Sequence, residues 1–193
     1  MYEAIDQAIA KYVQLGKEEL QLFHGLLKLK KVKKKSYLLQ EGDVCTTESF
    51  VLKGCIRTYY LDKEGLETII SFAVEGWWVS DLTSFTDQVP SNMFIEALED
   101  CELLQIDYAS KMQLFEKIPK LERYFRLLVQ RSLSVFQQRL YATVSQTAEE
   151  RYLHFLDRYP QIVQRVPQHQ IARYIGVSPE FLSKIRSGLL KKN

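Results

Sequence analysis

Metal-binding and redox side chains are scarce in this chain, and those present lie far apart. Cys45, Cys55 and Cys101 are its only cysteines, and none belongs to a C-x-x-C pair, so the usual ligand spacing of zinc sites and iron–sulfur clusters is missing. We interpret them as small buried hydrophobic residues rather than as redox sensors. The three histidines are equally scattered. The sequence therefore predicts neither a metal site nor a cofactor.

Long apolar runs are missing as well. No stretch approaches the ~20 apolar residues that cross a bilayer, and the N-terminal segment MYEAIDQAIAKYVQLGKEEL is amphipathic rather than signal-like. We expect no membrane partner and, by default, a cytoplasmic location. With 46% hydrophobic and 26% charged residues over 193 positions, the composition is that of a globular protein with an ample core, in one large domain or two small ones.

Charge is distributed unevenly, although the net charge is only +2. Residues 151–193 contain eight Lys/Arg and two Asp/Glu, a net charge of +6, whereas the preceding 150 residues carry −4. An acidic body with a basic C-terminal part favours a polyanionic partner for that part. Basic chain ends are common, so charge alone does not identify the partner.

The N-terminal 29 residues have the apolar spacing of helices, for example at Ile5, Ile9 and Val13. The basic run KLKKVKKK follows at residues 28–35. It is typical of a solvated edge strand whose lysines prevent edge-to-edge pairing, and we favour this interpretation over a nucleic-acid patch.

The sequence pattern of residues 36–107 predicts strands. Turn signals such as Gly42-Asp43, Glu64-Gly65 and Glu75-Gly76 recur between β-branched and aromatic runs. The pattern indicates an antiparallel barrel or jelly roll and, with the flanking helices, an α+β fold. A metal-dependent enzyme of the cupin type is disfavoured, because its barrel needs clustered His and Glu ligands and this segment has no histidine. No enzymatic activity is predicted.

A helix of unusual length is predicted at residues 119–145, which contain no glycine and no proline after Pro119. Apolar residues at three- and four-residue intervals form one stripe along it. They are Leu121, Tyr124, Phe125, Leu128, Val129, Leu133, Phe136, Leu140 and Val144. The stripe would pack either on the barrel or on the same helix of a second copy in a dimer. Because a helix this long outruns the face of a small barrel, we favour dimerisation.

The segment QHQIARYIGVSPEFLSKI, residues 168–185, matches the helix-turn-helix template. It follows a further helix that a capping box of Thr147 and Glu150 begins. Gly176 supplies the left-handed turn, and Ser178 is placed to cap the second helix. A plain αα-hairpin has a similar apolar pattern, but the local charge makes DNA binding the favoured interpretation.

The second helix of such a motif lies in the major groove, with its N-terminal residues nearest the base edges. The exposed positions predicted there are Pro179, Glu180, Ser183 and Lys184. Glu180 can accept a hydrogen bond from cytosine and Lys184 can donate to guanine, although an acid in a first helical turn also stabilises the helix dipole. The predicted phosphate contacts are Gln168, Arg173, Ser178, Arg186, Lys191 and Lys192.

A barrel, a long helix and a C-terminal helix-turn-helix together resemble the Crp–Fnr family of bacterial transcription regulators, over essentially the whole chain. LLQEGD and FVLKGCIRTYY are similar to the family's barrel-entry motif and next hairpin, and QIARYIGVSPEFLSKI to its DNA-reading segment, where Pro179-Glu180 replaces the usual Arg-Glu pair. The resemblance implies a cyclic-nucleotide-binding-like sensory domain at 1–118, a dimerisation helix at 119–146 and a helix-turn-helix domain at 147–193, the 160–167 stretch being short for a wing. It also implies a homodimer on palindromic double-stranded DNA, with RNA polymerase as a further partner.

The expected effector pocket departs from the family pattern. Cyclic-nucleotide-binding members carry a Gly-Glu-Leu segment for the ribose and an Arg-Ser/Thr pair for the cyclic phosphate, where this chain has Ser80-Asp81-Leu82 and Pro90-Ser91-Asn92. Without that arginine we expect no binding of cyclic AMP. The candidate lining residues for an unidentified small-molecule effector are Trp77, Trp78, Asp81, Ser91, Asn92 and Arg131. Both tryptophans would equally suit the barrel core.

Two other functions stay open at this point. The barrel would act as a small-molecule sensor without direct DNA reading, or the long helix would serve as a protein-interaction module. In the second case the substitution Lys184→Ala would leave function intact. A further hypothesis is that the protein has no small-molecule effector and that its activity is set by its expression level.

Overall fold

The computed structural model describes residues 1–192, except for the side chain of Lys192. Two helices come first, α1 (Glu3–Ala10) and α2 (Lys17–Leu26). The strands are β1 (Lys28–Val32), β2 (Tyr37–Leu39), β3 (Thr47–Lys53), β4 (Ile56–Leu61), β5 (Glu67–Ala73), β6 (Trp78–Val79), β7 (Phe94–Ala97) and β8 (Cys101–Asp107). Helix α3 (Leu82–Asp87) lies between β6 and β7. The C-terminal helices are α4 (Tyr108–Lys117), α5 (Pro119–Ser145), α6 (Ala148–Arg158), α7 (Pro160–Val163), α8 (Gln168–Ile175) and α9 (Pro179–Lys192).

The strands form two antiparallel sheets that pack face to face, which confirms the predicted jelly roll in an α+β fold. The strand orders are β1-β8-β3-β6 and β2-β7-β4-β5. Because successive side chains of a strand point to opposite faces, a strand contributes to two different cores. Leu103 of β8 lies with Ile56 and Phe85 between the sheets, whereas its neighbour Leu104 belongs to the core outside the first sheet.

Helices cover the outer face of the first sheet. Phe50 and Ile106 of this sheet share a core with Ile5 of α1, Phe23 of α2 and Leu114 of α4. The apolar spacing of the N-terminal helices is explained by this contact, because it places their apolar side chains on the sheet.

Strand β1 is an edge strand, as the lysine-rich run predicts. It lies at the end of the first sheet, and four of its five residues are exposed. Lys28, Lys31 and Lys33 form ion pairs with Asp107, Glu102 and Asp100 respectively. The basic run therefore lies along the edge of the first sheet, and much of its charge is paired with acidic residues of β8 and of the turn before β8.

The C-terminal helices cover the outer face of the second sheet. Ile69 and Phe72 of β5 share one apolar core with Phe155 of α6, Ile171 of α8 and Leu182 of α9. The helix-turn-helix is thus built directly onto the barrel, a packing that the sequence did not predict.

Helix α5 has the predicted bounds, Pro119–Ser145. Its beginning, with Leu121 and Phe125, is buried in the core of the first sheet. Further along, the apolar stripe faces solvent: Leu133 is 56% exposed, Leu140 68% and Val144 83%. Packing on the barrel therefore accounts for only the first part of the stripe.

Helix α6 begins at the predicted capping box. The Thr147 hydroxyl accepts the N–H of Glu150 at 3.2 Å, and the Glu150 carboxylate accepts the N–H of Thr147 at 2.7 Å. Between α6 and α8 the described chain forms the short helix α7 and no strands of a wing.

Candidate DNA-binding surface and sensory region

Helices α8 and α9 form the predicted helix-turn-helix. Gly176 between them has φ 78° and ψ 43°, the left-handed conformation that glycine adopts without strain. Its N–H and that of Val177 both donate to the carbonyl oxygen of Ala172. The side chains of Ala172, Ile175 and Leu182 are buried in the core beneath the turn. The turn therefore holds the two helices at a fixed angle.

The first turn of α9 is capped by Ser178, whose hydroxyl accepts the N–H of Phe181 at 3.2 Å. The pKa of the exposed Glu180 lies below its usual value, first because its carboxylate accepts its own backbone N–H and second because of a hydrogen bond with Ser178. In the free protein Glu180 thus stabilises the helix end, one of the two roles predicted for it. An ionised carboxylate has about four lone-pair sites, so these bonds leave Glu180 able to accept from cytosine as well.

The side chains predicted to contact DNA lie around this motif on its solvent side. Exposed are Ser178, Glu180, Ser183, Lys184, Arg186 and Lys191, and half-buried are Gln168, Arg173 and Pro179. The remaining candidate, the side chain of Lys192, lies outside the described residues. Leu182 and Ile185 are buried, so the helical period directs Ser183 and Lys184 away from the core.

Phe181 belongs to the same surface and was missed by the sequence reasoning. Its side chain is 50% exposed, beside Glu180 in the first turn of α9. An apolar ring near the base edges can contact the methyl group of thymine. The helical period could have predicted this exposure from the sequence. With Leu182 on the buried side of the helix, position 181 falls on the solvent side.

Arg165, which precedes α8, ties the C-terminal helices to the barrel. Its guanidinium donates to Glu75 at 2.7 and 3.0 Å and to Glu99 at 2.9 and 2.7 Å. Hydrogen bonds raise the pKa of Arg165; the bonds to Glu99 have the largest effect and those to Glu75 the next largest. Both acceptors lie in turns of the barrel, and two bidentate pairs fix orientation as well as distance.

Arg139 joins α5 to both the barrel and α8. It donates to the main-chain oxygens of Ile70 at 2.5 Å, Ile69 at 2.8 Å and Tyr174 at 2.6 Å. Its guanidinium carbon lies 4.0 Å from the centre of the Tyr174 ring. The helix-turn-helix is therefore anchored at one point to the long helix and to β5 together.

The side chains predicted to line an effector pocket are dispersed. The ring of Trp77 lies against Tyr159, with centroids 6.1 Å apart, whereas the indole N–H of Trp78 donates to the Tyr124 hydroxyl at 3.0 Å. The ring of Trp78 packs against Phe50 and Phe125 in the core outside the first sheet, so it does not fill the space between the sheets as the barrel-core expectation had it. Adjacent side chains of extended backbone point to opposite faces, which explains why the two tryptophans share no pocket.

Arg131 and Asn92 lie apart as well. Arg131 is exposed and donates to the Tyr12 hydroxyl at 3.1 Å, and Asn92 is exposed. Asp81 and Ser91 are in contact, with the Ser91 hydroxyl 2.6 Å from the Asp81 carboxylate. The structure thus brings together two of the six predicted residues.

Asp81 is buried and caps helix α3. Its Oδ1 accepts the N–H groups of Thr83 at 3.1 Å and Ser84 at 3.2 Å, and its Oδ2 accepts the Ser91 hydroxyl. The expectation of strands alone over residues 36–107 was wrong here, because an aspartate cap starts a helix. A phosphate placed at these N–H groups would meet a buried negative charge.

Lys111 is a buried cation close to α3, but its charge is engaged. Its ammonium pairs with Glu48 and lies 5.4 Å from the centre of the Phe85 ring and 4.0 Å from that of Phe125. An ammonium group held by a buried carboxylate does not replace the missing arginine of a phosphate site.

Within residues 1–192, no group of three or more His, Cys, Asp or Glu side chains is arranged to hold a metal ion. None of the helices in this part of the chain combines the length and apolar character needed to cross a membrane.

Two kinds of comparison relate the chain to known proteins. The family model of the cyclic nucleotide-binding domain matches residues 29–117. The sequence is 23% identical to the cAMP-activated global transcriptional regulator CRP of Escherichia coli, over 93% of this chain and 92% of that protein. It is 27% identical to the fumarate and nitrate reduction regulatory protein of Vibrio cholerae, over 89% of this chain and 72% of that protein.

Solved structures share the fold. The regulator CLP of Xanthomonas campestris superposes with a TM-score of 0.75 at 18% identity, covering 92% of this chain and 93% of that one. FixK2 of Bradyrhizobium japonicum gives 0.76 at 17% identity, covering 86% and 85%. Together with the relatives matched along most of their length, the jelly roll, long helix and helix-turn-helix support the resemblance of this chain to the Crp–Fnr family of transcription regulators.

Proposed function

We propose that this protein is a homodimeric regulator that reads a two-fold-symmetric DNA site with α9 and does not respond to cyclic AMP. The observation that carries the proposal is the exposed beginning of α9, where Glu180, Ser183 and Lys184 project from a packed helix-turn-helix. The similarity of the chain to transcription regulators, which extends along most of their length, supports the proposal. In this role the protein is a cytoplasmic binding protein and no enzyme, and RNA polymerase is the further partner of a promoter-bound dimer.

The second half of α5 supports the dimer. Its exposed apolar side chains are Val129, Leu133, Phe136, Leu140 and Val144. A contiguous apolar stripe of this kind marks an interaction surface, and pairing with the same helix of a second copy would bury it. A two-fold axis along the α5 pair would present two α9 helices to DNA half-sites about one helical turn apart.

The buried cap of α3 supports a response that is independent of cyclic AMP. The Asp81 carboxylate occupies the two backbone donors, and Ser91 donates to it where an arginine would be needed for a cyclic phosphate.

Selection of bound sequences from random DNA tests the proposal. We expect enrichment of a palindrome with half-sites about 10 base pairs apart from centre to centre, and binding that weakens steeply with salt. Lys184→Ala lowers affinity for the selected site by about 10- to 100-fold, whereas Lys117→Ala, an exposed lysine of α4, leaves it unchanged. No enrichment at low salt, or equal affinity of both variants, would instead favour a protein-interaction role for α5.

A further inference from the structure

A cleft lined by basic side chains lies where α5, α6 and α8 meet. Its volume is about 40 Å³, several times the ~10–15 Å³ that one water needs. Arg139, Arg151, His154 and Arg158 contribute to its lining, which includes no Asp or Glu of the described chain. The cleft is separate from the exposed face of α9 and from the sensory region around Asp81.

Among the residues that the structure describes, no carboxylate balances the charge of Arg139. Its acceptors are the three main-chain oxygens described above. Burial is the main influence on its pKa and lowers it, and the opposing influences come from the hydroxyl groups of Tyr174, Tyr159 and Tyr60. Desolvating a cation without an opposite charge costs free energy, which carbonyl dipoles offset only in part. A bound anion would supply the missing charge.

The cleft arginines keep hydrogen-bond donors to spare. A guanidinium has five N–H groups. Arg151 donates to the main-chain oxygens of Ile175 and Gln146, and Arg158 to the side-chain oxygen of Gln138. The hydrogen bonds found among residues 1–192 thus account for three N–H groups of Arg139, two of Arg151 and one of Arg158. The tetrahedral oxygens of a phosphate accept from several guanidinium groups at once.

We infer that this cleft binds a phosphate group, as inorganic phosphate or as the phosphoryl end of a small metabolite. Its cationic side chains come from both α5 and α6, and α8 closes the cleft with Tyr174 and Ile175. A phosphate held there connects the proposed dimerisation helix to the first helix of the helix-turn-helix and fixes their mutual angle. Binding at this site does not depend on the DNA-reading proposal and is measurable without DNA.

Two of the basic side chains also have a structural role. Arg139 and Arg151 hold the main-chain oxygens of Tyr174 and Ile175, at the C-terminal end of α8, where cations stabilise a helix. Arg158 and His154 are exposed and do not hold α8. They are therefore the positions at which phosphate binding can be weakened without loosening the motif.

Calorimetric titration of the full-length protein in a phosphate-free buffer tests the site. Inorganic phosphate is one ligand, AMP represents an organic phosphomonoester, and sodium chloride at equal ionic strength is the control for screening. We expect saturable binding at one site per chain, a matching rise in melting temperature, and a loss of about tenfold or more in the double variant Arg158→Gln/His154→Gln. Arg123→Gln, an exposed arginine elsewhere on α5, leaves the affinity unchanged. Tighter binding of AMP identifies a metabolite as the source, and tighter binding of phosphate the inorganic ion.

The inference is wrong if neither ligand saturates by about 10 mM, or if the double variant binds as well as the parent protein. It is also wrong if the double variant loses affinity for selected DNA while neither ligand binds, because the cleft would then contact the DNA backbone. His154→Gln alone provides a milder variant should the double change lower the melting temperature in the absence of ligand.

Discussion

Arg165 and Glu75 form a bidentate ion pair, with nitrogen–oxygen distances of 2.7 and 3.0 Å, across a sequence separation of 90 residues. One lies before the helix-turn-helix and the other in a turn of the barrel. The pair stands at the rim of the apolar core that the second sheet shares with the C-terminal helices. It therefore reports directly on whether the two parts of the chain are docked.

Replacing Arg165 by Gln is expected to lower the free energy of unfolding by about 1 kcal/mol, because the partly exposed ion pairs are lost. The loss shrinks in 1 M salt. Urea unfolding at low and high salt measures both. Lys33→Gln is the matched control, since Lys33 and Asp100 are 85% and 62% exposed, and its effect stays within about 0.5 kcal/mol. Equal effects of the two substitutions would show that the Arg165 pairs do not stabilise docking.

The pH dependence of stability depends on Glu75. Burial alone would raise its pKa, but hydrogen bonds from Arg165 and from the backbone N–H groups of Glu75 and Gly54 outweigh it and hold the pKa below its usual 4.5. A carboxyl with a lowered pKa stabilises the fold above its unfolded pKa and loses this contribution as the pH falls through the folded value. Glu75→Gln is thus expected to cost stability at pH 7 and little at a pH of about 2. A cost independent of pH would contradict the assignment.

Gly54 is a position where alanine is poorly tolerated. Its φ is +106°, and an added Cβ would lie 2.4 Å from the Cys101 sulfur and 3.0 Å from its Cα. We expect Gly54→Ala to lower the free energy of unfolding by about 3 kcal/mol. Gly76→Ala, at φ +83° with no atom within 4 Å, costs about 1 kcal/mol from backbone strain alone. Chemical denaturation compares the two, and equal losses would exclude a steric contribution at Gly54.

The exposed stripe of α5 gives a prediction about assembly. Leu140→Lys places a charge in the proposed dimer interface and is expected to yield a monomer at micromolar concentration, because the interface would bury that charge without a partner. Ser134→Lys lies on a different face of the same helix and leaves the dimer intact. Light scattering on a sizing column measures both masses. A dimer in both variants would place the interface elsewhere.

The thiols are expected to be unreactive in the folded protein. Burial is the main cause that raises the pKa of Cys55 to about 12, and it also raises those of Cys45 and Cys101. Since the thiolate is the reactive form, a disulfide reagent at a pH of about 8 is expected to modify these cysteines only after denaturation. Rapid modification of any of them under native conditions would revive the redox-sensor interpretation.

Local backbone chemistry made much of the fold predictable. Gly176, Ser178 and Pro179 each favour one backbone conformation, so the helix-turn-helix could be placed to the residue. Pro119 and the capping box at Thr147 did the same for the starts of α5 and α6.

Contacts between distant segments were not predictable in this way. Ile69 and Phe72 have the apolar character of any core strand, and nothing in them shows which helix covers them. The acceptors of Arg139 are main-chain oxygens, which every residue has. Trp77 and Trp78 were grouped by their closeness in sequence, although their side chains diverge in the fold.

The core shared by Ile69, Phe155 and Ile171 joins the barrel to the C-terminal helices. We expect a single thermal transition for both parts. A fragment that starts at Thr147 would expose this apolar face to water and lose the anchor of α8. Reporter fusions and binding screens that use only the C-terminal region would then measure aggregation, so the intact chain is the smallest useful unit for mapping DNA recognition.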